Sequence, residues 1–421
     1  MEQKKSYTFS IFVIGSLFFV LGFVTWLNAI LMPFLQTACE LTTFQSSFVP
    51  FAFYISYFVT AIPSSMVLKK TGFSNGMSLA LIIMAIGALI FVPAALNRSY
   101  ILFLVGLFVQ GIGLSLLQTA VNPYATIIGP IESAARRISI MGICNKVAGM
   151  IGIFLLSKVL FTGGDELMAT IANVTDPLQK EALLQSLSNR VISPYLVMAA
   201  ILIGFVLFIR AAKLPEINEE ENSTGKDKSK KSIFSYPYLW LGVLAIFFYV
   251  GAEVISVDYL ARYGRYLGFG NDLSNSLSIY ALIALVAGYL LGIAVVPKYI
   301  SQRNALIIQL CLAIILVFVA LFTNGIVSAI AIIALSFAHA IMWPAIWPLS
   351  IHDLGKYTKL GSAFLIMAIA GGAIMPLIYG KLSDLFNPQN AYALLFVSYA
   401  YIMFFATIGY KIRGKDKIEK R

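Results

Sequence analysis

Runs of apolar residues long enough to cross a bilayer recur along the whole chain, and they constrain its fold more than any other feature. Hydrophobic residues make up 59% of the 421 residues and charged residues 12%, whereas a soluble chain is about half apolar and a quarter charged. About 20 apolar residues span a bilayer as a helix. The ~10-residue alternating segments of a membrane β-barrel do not occur. The sequence therefore predicts an all-α polytopic membrane protein.

Twelve segments of this kind can be delimited, and each is expected to form one transmembrane helix. We place spans one to twelve at residues 8–37, 44–68, 76–96, 100–128, 136–161, 191–211, 235–264, 273–297, 303–322, 326–351, 358–383 and 390–412. The first span is too long and too aromatic for the apolar core of a signal peptide, so we expect no cleavable leader.

Lysines and arginines are distributed unequally between the two sides that these spans define. With the amino terminus inside, 22 of the 30 fall in cytoplasmic segments and seven in outer segments. Cytoplasmic loops of membrane proteins carry such an excess, so both termini are expected in the cytoplasm. The net charge of +11 then reflects topology and contact with the lipid bilayer, and it implies no nucleic-acid partner.

A charged and polar segment separates spans six and seven. Residues 213–232 read KLPEINEEENSTGKDKSKKS, a composition typical of a flexible linker. We therefore predict an amino-terminal six-helix bundle at 1–211, a cytoplasmic linker at 212–234 and a carboxy-terminal six-helix bundle at 235–421.

The two predicted bundles also match each other in sequence. Asn122-Pro123 aligns with Trp347-Pro348, 225 positions later, and Ile140-Met141 aligns with Ile366-Met367, 226 positions later. A nearly constant offset indicates internal duplication. Parallel repeats are typical of transporters whose two pseudo-symmetric halves are related by an axis along the membrane normal.

The loop between spans five and six is the one long loop predicted on the outer side. Asp176-Pro177 followed by LQKEALLQSL combines a helix-capping residue with proline at the first helical position. We expect an amphipathic helix that covers the outer surface.

Span four carries polar residues on one helical face. Ser115, Gln118 and Asn122 follow one another at intervals of three and four residues. Uncharged amides donate and accept hydrogen bonds at once, which suits a neutral polyhydroxylated ligand. The alternative is that they hold neighbouring helices together, as polar residues in membranes often do.

Charged residues lie deep in spans five and seven. Asn145-Lys146 is ten residues from the cytoplasmic end of span five, so Lys146 lies roughly 15 Å deep. A lysine there needs a carboxylate, a carbonyl or a water-filled cavity. Glu253 of span seven lies at comparable depth, and we predict a Lys146–Glu253 contact between the bundles. Asp258 and Arg262 have the spacing of a surface ion pair at the outer end of span seven.

Aromatic residues accompany the polar ones in spans one and ten. Span one carries Trp26 and Asn28, and span ten carries His339, Trp343 and Trp347. Trp343 and Trp347 are one helical turn apart and could hold a sugar ring, or belong to an aromatic belt or to helix packing. We expect His339 to be a hydrogen-bonded core residue.

Enzyme and metal-site motifs are missing from the sequence. Cys39, Cys144 and Cys311 are far apart and show neither metal-ligand nor disulfide spacing. His339 and His352 are the only imidazoles, and no nucleophile elbow, zinc-protease motif or phosphate-binding loop occurs. We therefore expect neither an enzyme nor a metal protein.

Five stretches of the sequence are recognisable. They are WLNAILMPFL, FQSSFVPFAFYISYF, LVGLFVQGIGLSLLQTAVNPY, GPIESAARRISIMGICNK and YVGAE. They resemble the fucose–galactose–glucose symporter family of the major facilitator superfamily, and most of all its glucose/galactose transporter group. The resemblance covers most of the chain. It implies a hexose carrier driven by a cation gradient, with two six-helix bundles rocking around a central cavity.

The resemblance also implies roles for individual positions. In the related fucose permeases, an aspartate in span one and a glutamate in span four serve proton coupling and sugar binding. Here Gln118 stands at the span-four position and Asn28 or Ala29 at the span-one position, so both acids are missing. The family's span-five asparagine corresponds to Asn145, and its span-ten aromatic residue corresponds to Trp343.

The leading hypothesis is symport of a hexose such as glucose or galactose with Na⁺ or H⁺ by alternating access. The candidate residues are Trp26, Asn28, Gln118, Asn122, Asn145 and Trp343 for substrate binding, and Lys146, Glu253 and Asp258 for coupling or gating. An uncoupled sugar facilitator is the alternative, and a sugar sensor is disfavoured because linker and tail are short. We expect a monomer in a bacterial inner membrane, with no cofactor besides the co-transported cation.

Overall fold

Helices are the regular secondary structure of this protein wherever its structure is described. The computed structural model describes residues 2–127, 134–161, 170–171, 173–174, 176–212, 232–296, 298–351, 354 and 357–412. Most of the predicted linker and the GPIES segment lie outside these ranges, so the division at 212–234 stays a prediction. For the description that follows, spans one to six are called the first half and spans seven to twelve the second half.

The helices of the first half agree with the predicted spans, with one difference: a single helix covers both span two and span three. Their bounds are Glu2–Trp26 and Asn28–Ala38 for span one, Thr43–Ser46 and Phe48–Leu96 for spans two and three, Tyr100–Ile127 for span four, Ala134–Leu160 for span five and Ile192–Ala212 for span six. The predicted helix before span six is confirmed at Pro177–Asn189, where the Asp176 carboxylate accepts from the Leu178 amide at 3.0 Å.

The helix Phe48–Leu96 has 49 residues, which at 1.5 Å per residue is about 74 Å, more than twice the hydrocarbon thickness of a bilayer. It breaks at Gly72, where φ is 75° and ψ is 172°. Eleven helices in the described residues are long and apolar enough to cross a membrane when Thr43–Leu96 is taken as one. Dividing it at Gly72 gives the twelve predicted spans.

The helices of the second half are interrupted more often. Their bounds are Pro237–Asp258 and Leu260–Tyr266 for span seven, Asn271–Val295 for span eight, Gln302–Phe322 for span nine, Gly325–His339 and Met342–Ile351 for span ten, Thr358–Met367, Ala368–Ala370 and Gly371–Leu385 for span eleven, and Pro388–Ala391, Leu394–Thr407 and Gly409–Lys411 for span twelve. An even number of spans brings both termini to one face. We call the opposite face the distal face.

Three of the helix breaks lie next to predicted site residues. Span one is interrupted at Leu27, span seven at Tyr259 and span ten at Ala340-Ile341. At these points the regular hydrogen-bond ladder is interrupted, but Leu27, Tyr259 and Ala340 keep right-handed helical φ and ψ values. The interruptions are therefore local irregularities in spans that stay helical.

The two halves meet along two pairs of spans, five with eight and two with eleven. Two spans also approach each other closely inside each half: spans one and five in the first half, and spans seven and eleven in the second. A Cβ atom on Gly22 of span one would lie 1.9 Å from the Asn145 carbonyl oxygen, and one on Gly371 of span eleven would lie 1.8 Å from the Phe247 carbonyl oxygen. Residues 22 and 247 are 225 positions apart, and residues 145 and 371 are 226 apart.

A second pair of contacts repeats the same offsets. Gly149 of span five accommodates the Trp26 ring, and Gly251 of span seven accommodates the Met375 side chain. Position 26 corresponds to 251 and position 149 to 375. The seam between spans one and five thus recurs between spans seven and eleven, with the glycine on the opposite partner. The duplication seen in the sequence is therefore present in the packing.

Replacing the seam glycines tests this arrangement. We expect Gly22→Ala and Gly371→Ala each to lower stability by about 1–3 kcal/mol, because the new methyl group meets backbone that cannot yield. Thermal unfolding of the purified protein in detergent measures the effect. Gly204→Ala is the control, since nothing lies within 4 Å of its Cβ position. Equal midpoints for all three variants would contradict close backbone approach at the seams.

Candidate substrate and coupling site

A buried ion pair joins the two halves at the centre of the bundle. Lys146 Nζ of span five lies 3.4 Å from Glu253 Oε1 of span seven, and each side chain is 10% exposed. The predicted contact between these residues is confirmed. The distance exceeds the 2.7–2.9 Å of a strong charge-assisted hydrogen bond, so the attraction is mainly electrostatic.

The Trp26 indole holds the Lys146 side chain in position. Lys146 Nζ lies 4.2 Å from the centroid of the Trp26 ring, a distance at which the ring face attracts a cation. Trp26 Nε1 donates to Asn145 Oδ1 at 3.1 Å, and Asn145 Nδ2 donates to the Phe18 carbonyl at 3.4 Å. Trp26 and Asn145 are therefore engaged with each other and with span one in this state.

Tyrosines of three spans lie in the central region around Glu253. Tyr249 lies one turn before it on span seven, and Tyr289 of span eight and Tyr54 of span two lie at longer range, where the charge of Glu253 acts on them. The sequence does not single out these three residues, because a tyrosine in an apolar segment gives no signal that separates a packed ring from a polar one.

Trp343 extends this cluster with an aromatic wall. Its ring centroid lies 6.2 Å from that of Tyr249 and 5.3 Å from that of Trp347, with which it is stacked at 26°. Both tryptophans are half-buried. Flat aromatic faces beside hydroxyl and amide groups provide the apolar and polar contacts that a polyhydroxylated ring needs.

His339 forms a separate buried network behind this wall. Its Nδ1 lies 3.3 Å from Ser256 Oγ and its Nε2 lies 2.8 Å from the Tyr399 hydroxyl. The side chain is fully buried. The prediction of a hydrogen-bonded core histidine is confirmed.

Gln118 hydrogen-bonds one of two stacked tyrosines of span two. Its Nε2 donates to the Tyr57 hydroxyl at 3.0 Å, and the Tyr57 ring stacks on that of Tyr54 with centroids 6.3 Å apart. Asn122 is half-buried one turn further along span four. The polar face predicted for span four therefore contacts span two at Gln118.

Asn28 and Ser115 have other surroundings. Asn28 is 1% exposed, and its amide donates to the Thr25 carbonyl at 3.2 Å, beside the break at Leu27. Ser115 is fully buried, and its hydroxyl has no hydrogen-bond partner in the described part of the chain. In this structure the Asn28 side chain therefore hydrogen-bonds the backbone of span one.

The predicted surface ion pair of Asp258 with Arg262 is wrong. Asp258 is 1% exposed, and neither carboxyl oxygen has a hydrogen-bond partner among the described residues. Arg262 Nη1 instead donates to Gln36 Oε1 at 3.2 Å. The Arg262 side chain is therefore held by a residue of the first half, and Asp258 is left buried without it.

Hydrogen bonds close the distal face between the halves. The Tyr259 hydroxyl donates to Ser47 Oγ at 2.5 Å, and the Phe44 amide donates to Asp384 Oδ2 at 2.8 Å. The Arg262–Gln36 hydrogen bond lies beside them. Above these contacts is a cavity of about 820 Å³, whose lining includes Gln36, Lys180, Arg262, Arg265 and Asn271. The cavity therefore opens to the distal face and is separated from the central cluster.

An ion-pair cluster edges this cavity. Glu40 pairs with Lys180 at 2.5 Å and with Arg98 at 3.7 Å, and Arg98 also pairs with Glu181 at 2.6 Å. The hydrogen bond and charge of Lys180 hold the pKa of the Glu40 carboxyl below its usual range. Glu40 and Arg98 both have positive φ, 52° and 44°, and the ion pair connects these two strained turns.

The fold and this buried, charged axis define a membrane transporter. The sequence profile of the Major Facilitator Superfamily matches residues 14–376, so the chain belongs to that superfamily. The resemblance to its fucose–galactose–glucose symporters is confirmed. The twelve helices form the major facilitator fold, and the relatives are transporters rather than enzymes.

Three similar proteins illustrate this membership. The "Glucose/galactose transporter" of Brucella abortus is 34% identical over 97% of this chain and 96% of its own. The "L-fucose-proton symporter" of Escherichia coli is 32% identical over 91% of this chain and 88% of its own. The transporter FucP, whose crystal structure is in the outward conformation, is 30% identical to this chain in sequence. The two structures superpose with a TM-score of 0.72, over 96% of this chain and 99% of FucP.

The central ion pair predicts a strong coupling between two substitutions. Lys146→Met leaves a buried uncompensated carboxylate, which typically costs about 3–5 kcal/mol. We expect Lys146→Met with Glu253→Gln to be considerably more stable than Lys146→Met alone. The measurement is thermal unfolding of each variant in detergent.

A matched control for this cycle lies at the distal face. Lys180→Met breaks the exposed pair with Glu40, for which about 0–1 kcal/mol is expected. If the effects of Lys146→Met and Glu253→Gln simply added, the two side chains would not be paired in the membrane.

Proposed function

We propose that this protein carries a hexose such as glucose or galactose across a bacterial inner membrane, coupled to entry of H⁺ or Na⁺. The observation that carries the proposal is the Lys146–Glu253 ion pair, which crosses between the halves beside an aromatic and amide-rich cluster. The names of the Brucella and Escherichia coli relatives, which refer to glucose, galactose and fucose, support the substrate class.

The substrate would bind along the axis between the halves. Trp343 would stack on the sugar ring, and Gln118, Asn122 and Asn145 would hydrogen-bond its hydroxyl groups. Trp26 would cover the site next to Lys146. Asn28 would contact the substrate at the irregular turn of span one, next to Leu27. Amides suit this role because they donate and accept without requiring charge on the ligand.

The coupling ion would act on the charge of Glu253. Protonation removes the negative charge that attracts Lys146, and a bound Na⁺ competes with the ammonium group for the same carboxylate. Either event weakens a contact that holds spans five and seven together. Because these spans belong to different halves, the relative position of the halves then depends on occupation of the coupling site.

We also propose a direction for the cycle. The excess of lysine and arginine in the segments on the terminal side supports cytoplasmic termini, which makes the distal face the outer one. The hydrogen bonds of Ser47 and Gln36 to the second half would then form the outer gate. The carrier would act as a monomer, since one chain supplies both halves of the site.

An uncoupled facilitator is the second candidate. Lys146 already neutralises Glu253 within the chain, so the pair needs no ion from solution to be stable. Uptake of radiolabelled glucose into vesicles under imposed sodium or pH gradients separates the two candidates. Uptake that responds to neither gradient would favour the facilitator. Accumulation of glucose above equilibrium under one of the two gradients would identify the coupling ion. Competition by a series of hexoses then narrows the substrate.

Removing the charge of Glu253 is expected to separate accumulation from exchange. Glu253→Gln should abolish gradient-driven accumulation but leave exchange of labelled for unlabelled sugar, because the amide imitates the neutral acid and cannot cycle. Glu181→Gln, at an exposed pair of the distal face, is the control. Unchanged accumulation in Glu253→Gln would exclude this residue from coupling.

The aromatic wall predicts a change in sugar affinity. Trp343→Ala should weaken binding by about 1 kcal/mol, roughly fivefold, which is the usual contribution of an aromatic contact. Trp343→Phe should lose less, because it keeps an aromatic face. The half-saturation concentration for exchange gives the measurement, and equal values for wild type and Trp343→Ala would place the sugar elsewhere.

A further inference from the structure

Asp258 is a buried carboxyl group that the ion pair described above does not use. It is the last residue of the helix Pro237–Asp258, it is 1% exposed, and neither of its oxygens has a hydrogen-bond partner in the described part of the chain. A buried anion without partners is costly. The neutral acid is therefore the form that this environment favours.

A charged neighbour increases this preference. The negative charge of Glu253, five positions earlier on the same span, disfavours a second anion at Asp258. Arg262, the nearest cation along the chain, donates to Gln36 of the first half. The position thus combines a negative neighbour with a cation that is directed elsewhere.

The other spans packed against span seven supply titratable groups that are occupied with different partners. Span ten contributes His339, which is bonded to Ser256 and to Tyr399 of span twelve. Span eleven contributes Tyr379, whose hydroxyl donates to the Pro388 carbonyl at 2.8 Å. Span eight contributes Tyr289, which interacts with Glu253.

The contacts that close the distal face lie directly beside Asp258. Tyr259, which hydrogen-bonds Ser47, is the next residue, and Arg262, which hydrogen-bonds Gln36, is one turn further. Gln36 and Arg262 also line the distal cavity. Separation of the halves at this face breaks these contacts and brings water from the cavity to Asp258. Access to its carboxyl group is therefore controlled by the distal contacts.

Asp258 and Glu253 are five positions apart on span seven, a rise of about 7.5 Å along the helix. The two carboxyl groups are therefore too far apart for direct proton transfer, and each is a separate position at which a proton can bind.

We infer that Asp258 is a second protonation site of the transport cycle, which binds a proton from the distal side when the halves separate there. The inference rests on the proposed function and narrows its cation to a proton. On opening, the Asp258 carboxylate binds H⁺ from water. When the opposite face opens, the same O–H bond breaks and the proton passes to water on that side.

A metal cation fits this position less well than a proton. A hard cation needs several oxygen ligands at once, whereas a single carboxyl group is sufficient for a proton.

The test uses the full-length protein in vesicles that enclose a pH-sensitive dye, with labelled glucose added outside. Wild type is expected to acidify the lumen as sugar enters. Asp258→Asn should lose this proton entry and its pH-driven accumulation, while sugar exchange remains measurable. Asp258→Glu keeps a carboxyl group and should retain proton entry. Asp272→Asn, at an exposed aspartate of span eight, is the matched control and should behave as wild type.

The possible outcomes separate this inference from the proposed function. Proton entry in Asp258→Asn equal to that of wild type overturns the role of Asp258 and leaves proton symport intact. Sodium-driven accumulation by wild type overturns this inference and supports the coupling proposed above. Wild-type uptake without any gradient dependence overturns both. Exchange by Asp258→Asn shows that the variant is folded, and proton entry by Asp258→Glu excludes a requirement for the exact side-chain shape.

Discussion

A lysine and a glutamate that neutralise each other inside the membrane are the interaction on which the centre of this protein depends. Each charge alone is expensive in a bilayer, and together they are tolerated because Trp26 and the neighbouring tyrosines provide a partly polar surrounding. Lys146 belongs to the first half and Glu253 to the second. Their attraction therefore couples a local charge to the relative position of two six-helix groups.

The two acids of span seven differ in what surrounds them. Glu253 has a cation within 3.4 Å, whereas neither oxygen of Asp258 has a hydrogen-bond partner among the described residues. One carboxyl group is thus balanced within the chain, and in our proposal the other is balanced by a proton. The two acids lie five positions apart on one helix, so they form two positions along the axis rather than a single binding point.

The central contact could be predicted from the sequence because depth along a span follows from residue number. Counting residues places Lys146 and Glu253 at similar depths, and a buried charge must have a partner. The same reasoning failed for Asp258, since residue spacing along one helix takes no account of side chains from other spans, and Gln36 of span one binds Arg262. Tyr54 and Tyr249 could not be assigned, because their hydroxyl groups become significant only when other spans approach.

The opposed glycines at the two seams have a mechanical consequence. Where backbones touch, as at Gly22 and Gly371, two helices have little room to tilt or slide independently, so spans one and five move together, and so do spans seven and eleven. Lys146 lies on the first of these pairs and Glu253 on the second. A change in the distance between the two charges must therefore displace two helices at once.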